Sequence, residues 1–141
     1  MSASTKLSTS VKSLIYLAHS PDSAKTSGEI ATAIGVNASK LRRLLSLLAK
    51  QGIVKTIKGK DGGFQLNKKC SDVHLQEIYC AIEDRRAFYL DVQNGQASDR
   101  SFTKDINHFF DDLFFNIQVD IEGRMKSITL QSIINKTSHN L

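Results

Sequence analysis

The chain has 141 residues, a formal net charge of +5, 40% hydrophobic and 23% charged residues, which suits one compact domain or a small domain with an assembly element. Its charge is unevenly divided: residues 1–69 hold twelve Lys and Arg against three Asp and Glu, and residues 70–141 hold seven against eleven. No apolar run nears the ~18 residues of a membrane span, the first dozen residues lack a signal core, and two cysteines are too few for a disulfide framework; a reducing cytoplasm is the expected setting.

In chain order, residues 8–20 predict a first helix with Val11, Leu14, Ile15 and Ala18 on its buried side, closed by Pro21 and Asp22. Lys12 lies off that stripe and reads equally as a phosphate contact or a solvated lysine. Thr26-Ser27-Gly28-Glu29 has capping-box spacing. It opens a short helix carrying Ile30 and Ile34 on one face, and Gly35 stands where a left-handed residue stops it. Asn37 can cap the next helix, in which Leu41, Leu44, Leu45 and Leu48 recur at i, i+3, i+4, i+7. Ser39, Lys40, Arg42, Arg43, Ser46 and Lys50 occupy its other face. One side can therefore pack on a core while the other meets an anion.

Gly52 is placed to end that helix, and the β-branched residues 53–58 read as a strand. Gly59-Lys60-Asp61-Gly62-Gly63 is turn chemistry, and Phe64 and Leu66 give a return strand one apolar face. Glycines at the tip allow close backbone approach, and Lys58 and Lys60 bring charge to it. Helix, turn, basic helix and hairpin together predict a winged helix-turn-helix, with double-stranded DNA as the partner.

Beyond the wing, Ser71 or Asp72 can start a fourth helix through Leu75, Ile78, Tyr79 and Ile82, completing the core. The pattern then breaks. Arg85, Arg86 and the cluster Phe88-Tyr89-Leu90 read either as an effector pocket or as a packed linker. Helical spacing returns over residues 102–125, where Ile106, Phe110, Leu113, Ile117 and Ile121 form a stripe widened by Phe109, Phe114 and Phe115. Such a stripe must be covered, by internal core or by a second copy. The second copy is preferred, because a small N-terminal domain has little spare surface for a helix of some six turns. Thr129 can cap a last helix through Leu130, Ile133 and Ile134, before a frayed tail from Lys136. The expected class is mainly α with a small β-hairpin wing: a winged helix-turn-helix over residues 1–83, a linker or effector region over 84–101, and a dimerisation helix with tail over 102–141.

Other chemistry finds little support. His19, His74, His108 and His139 lack ligand spacing, so no metal is expected, and no nucleophile motif frames any serine, so no catalytic residue is assigned. If Cys70 and Cys80 flank one helix, a rise of about 1.5 Å per residue separates them beyond bridging range. Lys68 and Lys69 beside Cys70 could favour its thiolate.

Several of these segments resemble the Rrf2 family of bacterial transcription regulators: Leu14-Ile15-Tyr16-Leu17-Ala18, Ser27-Gly28-Glu29-Ile30-Ala31, Leu41-Arg42-Arg43-Leu44-Leu45 leading to Gly52-Ile53-Val54, residues 78–83, and above all the wing end Gly62-Gly63-Phe64-Gln65-Leu66. The resemblance is strong over residues 8–83 and loose beyond. It implies a homodimer joined through a long C-terminal helix and reading a palindromic operator, in a family that includes iron–sulfur, nitric-oxide and cysteine-metabolism sensors. Cluster-binding members carry three cysteines between the fourth helix and the dimer helix, where this chain has none. The resemblance thus supports DNA binding and argues against an iron–sulfur cofactor.

The expected function is a sequence-specific, homodimeric transcriptional regulator, a repressor, that uses residues 37–51 in the major groove and residues 53–66 on the adjacent backbone. Its expected DNA contacts are Ser27, Ser39, Lys40, Arg42, Arg43, Lys58 and Lys60, with a small molecule or protein as effector. The alternative is a winged-helix module that binds a protein partner, such as a metabolic enzyme, with little DNA binding.

Overall fold

In chain order the elements are α1 (Ala3–Ala18), α2 (Ser27–Ile34), α3 (Ala38–Lys50), β1 (Val54–Ile57), β2 (Gly63–Leu66), a 3-10 turn (Cys70–Asp72), α4 (Leu75–Ile82), α5 (Ser101–Lys126) and α6 (Leu130–Lys136). This is a computed structural model, and it describes residues 1–83 and 101–137. Arg85, Arg86 and Phe88-Tyr89-Leu90, read from the sequence as either an effector pocket or a packed linker, lie outside the described residues, as does His139. The chain divides into two units, one of Met1–Asp84 with Met125–Leu141, the other of Arg85–Arg124.

The first unit is organised around α3. Asn37 caps it by accepting from the N–H groups of Ser39 (3.0 Å) and Lys40 (3.2 Å), satisfying two donors that have no partner inside the helix. Gly52, at φ 76°, reverses the chain in the left-handed region. The Gly52 and Ile53 amides then bond the Ala49 and Leu48 carbonyls, each at 3.0 Å, as a Schellman stop requires. Between these signals Leu41, Leu44, Leu45 and Leu48 are all buried, at roughly 1.5–3 kcal/mol of transfer free energy each. They meet Leu14 and Leu17 of α1, Ile30 of α2 and Ile78 and Ile82 of α4 in one cluster.

Helix α1 starts at Ala3, ahead of residue 8, because Ser2 caps it by accepting from the Thr5 amide. Its opening turns are rich in Ser and Thr and show no apolar period. The buried face also differs from the expected one: Thr9, Ser10, Ser13, Leu14 and Leu17 turn inward, and Val11 and Ile15 only flank the core. Ser13 tolerates burial because its hydroxyl donates to the Thr9 carbonyl at 2.8 Å.

Strands β1 and β2 pair antiparallel with Val54 opposite Leu66 and Ile57 opposite Gly63. Phe64 also bridges to Lys25, with its N–H donating to the Lys25 carbonyl at 2.7 Å and the Lys25 N–H returning at 2.9 Å. The wing is thereby tied to the residue before Thr26, the cap of α2. Gly63 has φ 148°, and a methyl there would collide with the Lys25 carbonyl. The tight backbone approach foreseen at the glycines is therefore intramolecular.

The fourth helix begins later than expected. His74, not Ser71 or Asp72, caps α4: its Nδ1 accepts from the Glu77 amide (3.2 Å) and the Glu77 carboxylate accepts from the His74 amide (3.0 Å). A matching box joins Thr129 and Ser132 at α6. The two caps are laced together, since the Leu75 amide bonds the Ile128 carbonyl and the Leu130 amide bonds the Val73 carbonyl, both at 2.9 Å. Leu130 is fully buried in the same core as α1 and α3. The final helix, grouped with the long helix in the sequence reading, thus closes the first unit.

In the second unit, α5 carries the expected apolar residues with much of their surface open: Phe102 is 72% exposed, Phe109 64%, Phe110 39% and Leu113 38%. Phe109 stacks edge-on against Phe110 with centroids 5.5 Å apart. Phe115 and Val119 are also exposed, but at about 100° per residue they fall on the far side of the helix from Ile106 and Leu113, so Phe115 does not widen the main stripe.

Candidate nucleic-acid interface

The outward face of α3 is set by the burial of its four leucines, since at about 100° per residue the remaining arc must face solvent. Ser39, Lys40, Arg42, Arg43, Ser46 and Lys50 are all exposed. The partly positive N-terminal end of the helix adds to the charge of Lys40.

The two arginines do not act as a pair. Arg42 leans towards α2, where its Nε donates to the Ser27 hydroxyl at 3.2 Å. Arg43 faces the opposite flank, lining a groove with Lys40, Lys50 and the end of α4. Ser27 departs from the expectation of direct contact: it is only 5% exposed, and its oxygen holds Arg42 in place. The α2 entry therefore serves α3 by orienting one of its cations, a role that sequence spacing alone does not reveal because Ser27 and Arg42 lie on different helices.

Lys58 and Lys60 are exposed at the wing turn, and Lys55 is exposed on β1. Lys12 is also exposed, on α1. The ion pairs found among the described residues use other lysines: Lys6 with Glu83 at 3.4 Å and Lys68 with Glu77 at 2.9 Å. Lys40, Arg42, Arg43, Lys50, Lys58 and Lys60 therefore have no ion-pair partner among the described residues. Exposed cations without an ion-pair partner hold a field that attracts a polyanion.

The thiols and histidines have other surroundings. Cys70 and Cys80 are free. They sit on separate elements, the 3-10 turn and the last turn of α4. Burial pushes the Cys70 thiol pKa up, with its backbone hydrogen bond opposing. Lys68, near it in sequence, is paired with Glu77. His74 is a helix cap, and the His19 ring bonds the Ile15 carbonyl at 2.8 Å. Among the described residues no group of three or more His, Cys, Asp or Glu could hold a metal ion, and no helix is long and apolar enough to cross a membrane.

A helix-turn-helix whose second helix turns an uncompensated basic face outward, followed by a glycine-tipped wing and a long C-terminal helix, defines the winged-helix class of transcription regulator. Residues 3–136 match the Rrf2 family, described as "Iron-dependent Transcriptional regulator", and the chain belongs to that family. The HTH-type transcriptional regulator IscR of Photorhabdus laumondii is 28% identical over 119 residues, covering 83% of this chain and 68% of IscR. Among solved structures, a Lactobacillus plantarum protein superposes with a TM-score of 0.82 at 25% identity, covering 96% of this chain and 91% of that one. CymR, the global cysteine regulator of Bacillus subtilis, shares the fold with a TM-score of 0.69 at 21% identity over 96% of both chains. The protein is thus a transcriptional regulator of the Rrf2 family. The segment between α4 and α5 contains neither Cys nor His, and the whole chain has two cysteines.

Proposed function

We propose that the chain is a sequence-specific DNA-binding repressor that acts as a homodimer on a palindromic operator. The observation that carries this reading is the set of exposed cations on α3 and the wing that have no ion-pair partner among the described residues. In this mechanism α3 enters the major groove, where Arg43 and Arg42 reach base edges and Ser39 and Lys40 act at the end nearest the DNA. Lys58 and Lys60 hold phosphates beside it. Phosphate contacts fix register and supply most of the affinity, and base contacts supply discrimination.

The dimer would form through α5, whose open phenylalanines give a second copy an apolar face to cover, and the two heads would then meet half-sites about 34 Å apart. The protein works without an iron–sulfur cluster and without catalysing a reaction, in the cytoplasm, with residues 1–83 as the DNA-binding part and an effector acting through residues 84–101. Binding to duplex DNA, titrated against salt with chelator present, tests the reading. With six to ten phosphate contacts per dimer, affinity should fall roughly 10³–10⁵-fold between 50 and 200 mM salt. A flat response would overturn it and favour a module that binds a protein partner.

A further inference from the structure

A groove of about 630 Å³ runs beside α3, bounded by the start of α1 and the last turn of α4. That volume is within the usual range for small-molecule sites, roughly 300–1,000 Å³. Its lining is of two kinds. Lys40, Arg43 and Lys50 supply three cations that have no ion-pair partner among the described residues, and they recur on one flank of α3 at steps of three and seven residues. Leu44, Leu47 and Ile82 supply an apolar floor, and the exposed Cys80 stands in the α4 wall. Among the described residues that line the groove, Glu83 is the one carboxylate, and it is already paired with Lys6. The groove therefore carries an unbalanced positive charge over an apolar surface.

We propose that this groove binds a small amphipathic anion, a carboxylate with an aliphatic body, and that its occupant competes with DNA. The carboxylate lies on Arg43, whose planar fork suits two parallel hydrogen bonds to it. Lys40 and Lys50 add charge on either side. The aliphatic body covers the partly exposed Leu47, gaining about 25 cal/mol for each Å² of apolar surface removed from water. The competition rests on the proposed DNA reading, because Lys40 and Arg43 are the side chains that reading assigns to the groove of the duplex. A bound anion neutralises them where DNA would need them, with no conformational change required.

Cys80 provides a readout that does not depend on DNA. The wild-type sequence carrying only Cys70→Ser leaves one thiol, and its alkylation by iodoacetamide can be followed by mass spectrometry with octanoate as the probe. Octanoate should slow Cys80 alkylation several-fold in a saturable way, octanol and inorganic phosphate should not, and Arg43→Gln should abolish the protection. In parallel, octanoate should raise the apparent Kd for duplex DNA measured by fluorescence anisotropy at low salt. Unchanged alkylation through millimolar octanoate, or equal protection by octanol, would overturn the site. Protection of Cys80 without any effect on DNA affinity would overturn the competition. If the unliganded chain fails to bind duplex at all, the DNA reading falls, and the alkylation result still decides the site.

Discussion

Gly63→Ala tests the coupling between wing and helix-turn-helix. At φ 148° the glycine occupies backbone space that L side chains rarely adopt, and a Cβ would meet the Lys25 carbonyl and lie 2.9 Å from the Thr26 amide. Both obstacles are backbone, so neither can swing aside. Relief requires β2 to move away from residue 25, which sacrifices the pair of hydrogen bonds between Lys25 and Phe64. Each is worth about 1 kcal/mol net, and forcing a non-glycine residue into such a region adds about 1–3 kcal/mol. The expected loss is about 3–5 kcal/mol, a large part of the 5–15 kcal/mol typical of a domain. Urea denaturation followed by far-UV circular dichroism measures it as a lower midpoint at constant m. Gly123→Ala is the control of opposite sign: a Cβ at that α5 position meets nothing within 4 Å, and alanine in a helix interior is favoured by roughly 0.5–1 kcal/mol. A Gly63→Ala midpoint within experimental scatter of the wild type would refute the idea that this backbone contact fixes the wing.

Arg43→Ala should weaken a selected operator by roughly 1–3 kcal/mol per half-site while leaving random DNA less affected; Lys60→Ala should weaken both alike and lower the salt slope by about 1 per half-site. Competition binding separates the two, and an unchanged specific-to-random ratio for Arg43→Ala removes it as a base reader. Phe110→Asp should convert a dimer into monomer in analytical ultracentrifugation, because a charge in a covered apolar seam is costly; a wild type that sediments as monomer at micromolar concentration would contradict the α5 seam. For the thiols, burial raises the Cys70 pKa, so the thiolate fraction at a given pH is smaller than for a free cysteine and alkylation of Cys70 should need higher pH than that of free N-acetylcysteine. A rate-versus-pH profile on a Cys80→Ser variant decides it, and a Cys70 profile lying at lower pH than that of the free thiol would show the sign to be wrong.

Much of the first unit was legible because its signals are local. Asn37, Gly35 and Gly52 act within a few residues of where they stand, and the leucine spacing of α3 fixes both its buried and its solvent face. The misses share a cause. The start of α1 and its inward serines depend on hydroxyl-to-backbone bonds, which apolar periodicity does not register. His74 as a cap falls outside the usual set of Ser, Thr, Asp and Asn. The Ser27–Arg42 bond, the Gly63–Lys25 approach and the place of α6 join residues distant in sequence, and nothing in a linear reading marks them as partners. On the solvent face of α3 the exposed residues were readable from the leucine spacing, but the separation of Arg42 from Arg43 onto two flanks required the neighbouring helices.

The lacing of Val73 and Leu75 to residues 128 and 130 makes the head a discontinuous assembly: chain that leaves at residue 84 comes back at Met125. The intervening unit is therefore an insertion, tethered at both ends, and not an appendage hung from a single linker. A fragment stopped at residue 83 would lose the Leu130 plug and the backbone partners of Val73 and Leu75, and it should melt more readily than its tidy sequence boundary suggests. Joining residue 83 to residue 125 through a flexible spacer long enough to span their separation would retain both stretches that make those bonds. An autonomous head must be built from two stretches of sequence, and exchanging the intervening unit takes a pair of junctions that have to be cut together.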